Sequence, residues 1–205
     1  MKKPLLLFCL ILSFGLSSQE IFFSSGKNYT DFDFSTDNAT EKTSFASGAG
    51  NFYEIGVTSI LNYSKTFKIS SSLTLDEYNA NTGDATTYYS WRADYIGIKN
   101  NLDIKILNLS SYVSLYSSFG LSLQMLINGQ QQINGLTYDL TKQEEFKGLF
   151  ISPNIGASLR VTLSKNAGVS AGYSLFETLP MKTSSDQNLS FISRQIQFKF
   201  IFSLD

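Results

Sequence analysis

The sequence predicts an all-β chain: an eight-stranded antiparallel transmembrane β-barrel with up-and-down meander connectivity. Three observations carry that prediction. Apolar residues recur at every second position through long segments, the period of a strand rather than a helix. The connections between those segments alternate between long and short. The face opposite each apolar stripe is built mainly from Gly, Ser and Thr, where a water-exposed face would carry more Lys and Glu.

Composition agrees with a membrane setting. The chain has 205 residues, of which 42% are hydrophobic and 16% charged. A soluble domain carries roughly a quarter charged residues. Aromatics are abundant, with 17 Phe and 11 Tyr, and the length suits one domain.

Residues 1–18 read as a secretory signal peptide, leaving 19–205 as the barrel domain. Lys2 and Lys3 precede an apolar run from Leu5 to Leu16, and the small residues Ser17 and Ser18 follow. The run is shorter than the roughly 20 residues a spanning helix needs. Cys9 lies inside the apolar core, between Phe8 and Leu10, and not at a lipoprotein-type cleavage point. The mature chain then has no cysteine, and hence no disulfide and no thiolate metal site. Removing Lys2 and Lys3 makes the formal charge of −1 two units more negative. No basic surface for nucleic acid is indicated.

The strands follow in order. The first lies within EIFFSSGKNYTDFDF, residues 20–34, and alternates least regularly. In the second, Tyr53, Ile55 and Val57 oppose Glu54, Gly56 and Thr58. Phe67, Ile69, Leu73 and Leu75 then oppose Lys68, Ser70, Ser72, Thr74 and Asp76. Trp91, Ala93 and Tyr95 oppose Arg92 and Asp94, and a parity change at Ile96 and Ile98 points to a bulge near Gly97. Phe119, Leu121, Leu123, Met125 and Ile127 oppose Ser118, Gly120, Ser122 and Gln124. Ile155, Ala157, Leu159 and Val161 oppose Asn154, Gly156, Ser158 and Arg160. Pro153 in that strand cannot donate to a ladder, which marks a bulge or a position near the loop rim. Val169, Ala171, Tyr173 and Leu175 form the seventh stripe. Ile196, Phe198, Phe200 and Phe202 form the eighth, against Gln195, Gln197 and Lys199.

Alternation alone fits a soluble barrel as well as a membrane one. Strands exceeding nine to eleven residues, a small-residue lining and aromatics near stripe ends (Tyr53, Tyr63, Trp91, Phe198, Phe202) favour apolar-out. The tight connections are NYSKT, LNLSS and SKNAG. Between them fall long ones after Tyr29, over 79–87, over 128–148 and over 178–188. All the long connections therefore share one rim. Lipid supplies no hydrogen bonds, so the first strand must pair with the last.

Several segments together resemble the Bacteroidetes-type outer membrane β-barrel family, small eight-stranded barrels similar in shape to the outer membrane protein A transmembrane domain. They are GNFYEIGV, YYSWRADYIGIKNNL, the block from INGQQQING through TYDLTKQEEFKGLFISPNIGASLR, and the closing RQIQFKFIF. The resemblance implies residence in the cell outer membrane, contact with its lipid, and insertion by the barrel assembly machinery. The aromatic last strand, Phe198, Phe200 and Phe202, would serve as its signal, although the chain ends Ser203, Leu204, Asp205 rather than on an aromatic.

The sequence has no histidine. Barrel lipases, deacylases, acyltransferases and aspartyl-type proteases of the outer membrane use one, so none can be built here in its usual form, and no His-ligated metal site exists. The expectation is a non-enzymatic, monomeric protein without cofactor or metal. Asp31, Asp33 and Asp37 match no cation loop, and Glu144 with Glu145 reads as a solvated loop. The candidate site is a charge network inside the barrel: Glu54, Lys68, Asp76, Arg92, Asp94, Arg160 and Lys199, with Gln195 and Gln197. Buried charges in a narrow lumen need partners, and mixed signs fit a plug. A polar path for a small solute is the alternative, and a secreted soluble ligand-binding barrel is the third reading. The long loops are candidates to meet an extracellular ligand, or are simply what a barrel exposes.

Overall fold

A computed structural model describes residues 19–36, 43–44, 46–83, 88–143, 146, 148–180 and 187–204. Residues 1–18, expected to be a signal peptide, with Cys9, and also Asp37, Glu144 and Glu145, lie outside the described residues. The strands are β1 (Gln19–Thr36), β2 (Thr43–Ser44), β3 (Ala46–Ile60), β4 (Phe67–Gly83), β5 (Tyr88–Asn108), β6 (Val113–Ile133), β7 (Leu136–Asp139), β8 (Leu149–Thr162), β9 (Ala167–Pro180) and β10 (Gln187–Ser203). Eight of them make a closed up-and-down barrel; β2 and β7 are short additions at one rim. Each barrel strand pairs antiparallel with the next. β10 closes onto β1 from Glu20 opposite Ser203 to Thr36 opposite Gln187. Among the described residues closure leaves none of the eight barrel strands as an edge, as a hydrocarbon surrounding demands.

The tight turns are fixed by local side chains. Asn62 Oδ1 accepts from the backbone N–H groups of Thr66 at 2.9 Å and Phe67 at 3.0 Å, closing the β3–β4 turn. Ser110 Oγ accepts from Val113 N–H at 3.1 Å in the β5–β6 turn. The backbone N–H groups of Leu163 and Ser164 both reach Ala167 O in the β8–β9 turn. The start of β1 and the end of β10 lie at this short-turn end: Gln19 pairs with Ser59, and Ser203 N–H donates to Asn166 O at 3.0 Å.

The opposite rim is made largely of strand. The connections expected over 79–87, 128–148 and 178–188 are shortened, because β4 runs to Gly83, β6 to Ile133 and β9 to Pro180. Asn134 and Gly135, both at positive φ (49° and 84°), turn β6 back into β7. This is the two-residue Asn-Gly hairpin geometry. Asp139 then caps a single 3-10 turn, Leu140–Lys142.

The middle of the barrel is apolar outside. Ile55, Leu73, Ile98, Phe119, Leu123, Ile155, Phe198 and Phe200 are all exposed large hydrophobics on the outer surface. Phe198, the most exposed of these eight, is 61% accessible, which in water would be costly. Two outward polar residues in this band satisfy each other, Ser71 Oγ donating to Asn100 Oδ1 at 2.7 Å. A water-soluble barrel would show the reverse distribution.

Near the long-loop rim the pattern inverts within single strands. On β4, Leu73 and Leu75 face out and are followed outward by Glu77, Asn79 and Asn81; inside, Ser72, Thr74 and Asp76 give way to Tyr78 and Ala80. On β5, Trp91, Ala93 and Tyr95 face the interior and Arg92 and Asp94 the exterior. This reverses the expected orientation of both sets. Ile96 and Ile98 keep the parity of Arg92, so β5 has no bulge near Gly97. The irregularity is on β6, where Ile127 is the extra residue between Leu126, opposite Tyr95, and Asn128, opposite Asp94. Pro153 introduces no bulge: the β8–β9 ladder lapses at Ser152 and Pro153 and resumes in the same register at Asn154 opposite Phe176.

Lumen side chains are matched for size across β1 and β3. Phe22 sits opposite Gly56, and Gly26 opposite Phe52. A Cβ on Gly56 would meet Phe22 Cζ at 2.8 Å, and one on Gly26 would meet Phe52 Cε1 at 2.8 Å. Each glycine leaves room for the ring of the neighbouring strand.

Candidate functional site

The lumen is filled in layers. At the short-turn end, Glu20 of β1 accepts from Arg160 of β8 through both terminal nitrogens, each at 2.8 Å. It also accepts from Lys68 of β4 at 3.0 and 3.1 Å. The fork of the guanidinium matches the two carboxylate oxygens. Lys68 Nζ lies 5.5 Å from the Tyr116 ring centroid. Asp103 accepts from Ser70 Oγ at 2.6 Å. A small cavity of about 40 Å³ remains among Glu20, Lys68, Asp103, Tyr116, Arg160 and Lys199.

The next layer pairs Glu54 of β3 with Lys99 of β5 at 2.7 Å; Ser72 Oγ donates to the other carboxylate oxygen at 2.7 Å. Both charged side chains are almost fully buried, at 2% and 5% accessible. Lys199 Nζ stands 4.1 Å from the Phe22 ring centroid, a cation–π contact.

Above this, Asp76 is held by amides. Gln124 Nε2 donates to it at 2.9 Å, with longer contacts from Asn28 at 3.4 Å and Gln195 at 3.5 Å. Gln195 also donates to Asn28 Oδ1 at 2.9 Å. Gln124 and the Tyr78 hydroxyl bond to each other, which ties this amide layer to the aromatic one.

The long-loop end is closed by aromatics. Phe191 packs against Tyr78 at 4.7 Å, Phe32 at 5.1 Å and Tyr95 at 5.9 Å, and Phe150 meets Tyr95 edge-on at 5.6 Å. Trp91, Leu189, Leu140 and Phe146 complete this buried cluster. Leu140 and Phe146 come from the β7–β8 connection, and their side chains turn inward over the mouth. The Asp139 carboxylate holds it in place by accepting from the Thr141 N–H at 2.9 Å and hydroxyl at 2.6 Å. Those two bonds keep the Asp139 carboxyl below the usual carboxylate range.

Of the expected network, Glu54, Lys68, Asp76, Arg160 and Lys199 point into the lumen, but not as one cluster: they belong to three different layers. Arg92 and Asp94 are on the outside. Arg92 is 64% accessible and contacts Glu77 at 3.2 Å and Asp94 at 3.7 Å. The physical reason is depth. The apolar-out rule holds only where lipid surrounds the barrel; beyond it, the outside meets water and the inside is packed like a soluble core. Sequence reasoning missed Glu20, Lys99 and the aromatic plug. Lys99 was readable, because outward Ile96 and Ile98 place it inward. The Asn134-Gly135 pair was likewise a readable hairpin signal.

Fold and lumen together define a closed eight-stranded β-barrel of the transmembrane kind. No family model matches the chain, and no curated protein matches it. Among solved structures it is similar to Ail, the attachment invasion locus protein of Yersinia pestis. That likeness has 13% identity, 89% of this chain and 98% of that one covered, and a TM-score of 0.42. It is also similar to the outer membrane protein OprG from Pseudomonas aeruginosa (8%, 89% and 95% covered, TM-score 0.48) and to the outer membrane enzyme PagL (13%, 84% and 97% covered, TM-score 0.41). At these values the likenesses assign no role to any residue of this chain.

Proposed function

We propose that the chain is a non-enzymatic outer-membrane β-barrel protein with a plugged lumen and a structural or surface-contact role at its long-loop rim. The observation that carries this reading is the pairing of an apolar outer band with a layered, filled interior. The absence of histidine from the sequence supports a non-enzymatic role. The outward Phe198, Phe200 and Phe202 of β10 supply the aromatic terminal strand that barrel assembly machinery would engage. Membership in the Bacteroidetes-type family, export after cleavage near Ser18 and a monomeric state belong to the same proposal.

The test has two parts. Membrane fractionation with heat-modifiable gel mobility should place the protein in the outer membrane as a folded barrel; a detergent-free soluble monomer would refute the placement. Planar-bilayer recording should give no sustained current.

One observation favours a small-solute channel as the second reading. Ser24, Ser122 and Asn154 carry buried lumen oxygens without a protein partner, positions suited to water. Sustained single-channel conductance in the same recording would select that reading over the plug.

A further inference from the structure

The outward face of the β4, β5 and β6 extensions is a regular polar grid. Cross-strand pairing sets Glu77, Asp94 and Asn128 in one row, Asn79, Arg92 and Gln130 in the next, and Asn81, Ser90 and Gln132 in a third. The row just below is apolar, with Leu75 opposite Ile96. The grid therefore begins where the lipid-facing band ends, and on the same side of the sheet. Seven of its nine side chains, all but Asp94 and Asn128, line a shallow depression of about 420 Å³.

We propose that this face binds the sugar units of the glycolipid headgroups packed around the barrel in its outer leaflet. The inference rests on the outer-membrane reading. Direction is the first argument: the face looks sideways, continuous with the lipid surface, and meets what rises from that surface. Chemistry is the second. Gln130 and Gln132 each offer a carbonyl acceptor and two N–H donors, and the Ser90 hydroxyl beside Gln132 both gives and takes, which suits sugar hydroxyl groups. Asn79 is committed within the face, donating to Ala49 O at 2.8 Å and Glu77 Oε1 at 3.1 Å. Neighbouring strands space these groups about 4.8 Å apart. Charge is the third. Arg92 is held by Glu77 and Asp94, and Asn128 Nδ2 donates to Asp94 at 2.9 Å. The grid thus carries two carboxylates against one guanidinium, which disfavours phosphate and leaves neutral saccharide as the partner.

The experiment uses the refolded mature chain in phospholipid vesicles containing either a glycolipid with its core oligosaccharide or the same lipid anchor stripped of sugar. Glycolipid retained on the barrel after mild detergent extraction is counted by native mass spectrometry. The sugar-bearing lipid should be retained in preference. The Gln130→Ala/Gln132→Ala variant should lose that preference by about fivefold or more, the size of at least one net hydrogen bond. Gln132→Ala alone gives a second, milder variant, and heat-modifiable mobility checks that each has folded. Oligosaccharide freed from its anchor should bind phospholipid-only vesicles of the wild type more weakly. Equal retention of the stripped lipid, unchanged preference in the folded variants, or equal binding of the free oligosaccharide would each overturn the assignment. A wild-type chain that fails to enter vesicles overturns the membrane reading as well, so the two failures are distinguishable.

Discussion

Glu20 receives Arg160 through two nitrogens at 2.8 Å, joining the first barrel strand to a strand on the other side of the lumen. Lys68 shares the same carboxylate at 3.0 Å. One anion thus compensates two cations in a space that bulk water barely reaches. Glu20→Ala should leave both cations without a bonded carboxylate, with only the more distant Asp103 charge facing them across the same cavity, and destabilise the barrel by about 3 kcal/mol. Urea unfolding of the vesicle-inserted protein measures this. Lys68→Met in the Glu20→Ala background should restore part of the loss, and failure to restore any would argue against the shared-anion account.

Trp91 is the single tryptophan, and it faces inward beside Tyr89, with ring centroids 6.1 Å apart. Lipids brominated on their acyl chains should therefore quench its emission weakly. A tryptophan placed in the outer band, as Phe119→Trp in a Trp91→Phe background, should be quenched strongly. Strong quenching of native Trp91 would return β5 to the orientation its apolar pattern implies.

Asp139 seats the mouth segment by accepting from Thr141. Its carboxyl titrates below the ordinary carboxylate range, so the stabilisation is fully present above that range and is lost as pH falls through the lowered value. The Thr141 amide should be protected at neutral pH, and its protection factor, corrected for the intrinsic pH dependence of amide exchange, should fall on acidification. In Asp139→Ala the same amide should show no protection at any pH while the barrel strands stay protected.

Gly56→Ala should be destabilising by about 1–3 kcal/mol, the ordinary cost of overpacking. The added methyl meets Ser72 Cβ at 2.6 Å and the Phe22 ring at 2.8 Å. Phe22→Leu combined with it should recover part of that loss, because the ring is the movable obstacle. Thermal unfolding in detergent reads both variants. A neutral Gly56→Ala would mean that the ring has room elsewhere in the lumen.

How much of this was legible before any coordinates follows from depth along the strands. In the middle of β4, Lys68, Ser70, Ser72 and Thr74 against Ile69, Leu73 and Leu75 state their faces without ambiguity, because lipid outside and a polar lumen inside make opposite demands. Trp91, Ala93 and Tyr95 misled for the same reason: they obey a soluble-core rule, and one strand passes from the first regime into the second without a break. The layering was not legible at all. Which inward residues meet depends on stagger around the barrel, and Glu20 reaches Arg160 from 140 positions away. Alternation fixes a face but not a height.

The seam between β1 and β10 also sets a folding order. It joins the first barrel strand to the last, so its ladder of hydrogen bonds forms only after the whole chain has been delivered. Until then two strand edges stand open, and the Glu20 layer already depends on β8. Contacts this distant in sequence make for slow, cooperative assembly. A ribosome that stops short of β10 would release a sheet with two reactive margins, a natural target for proteases.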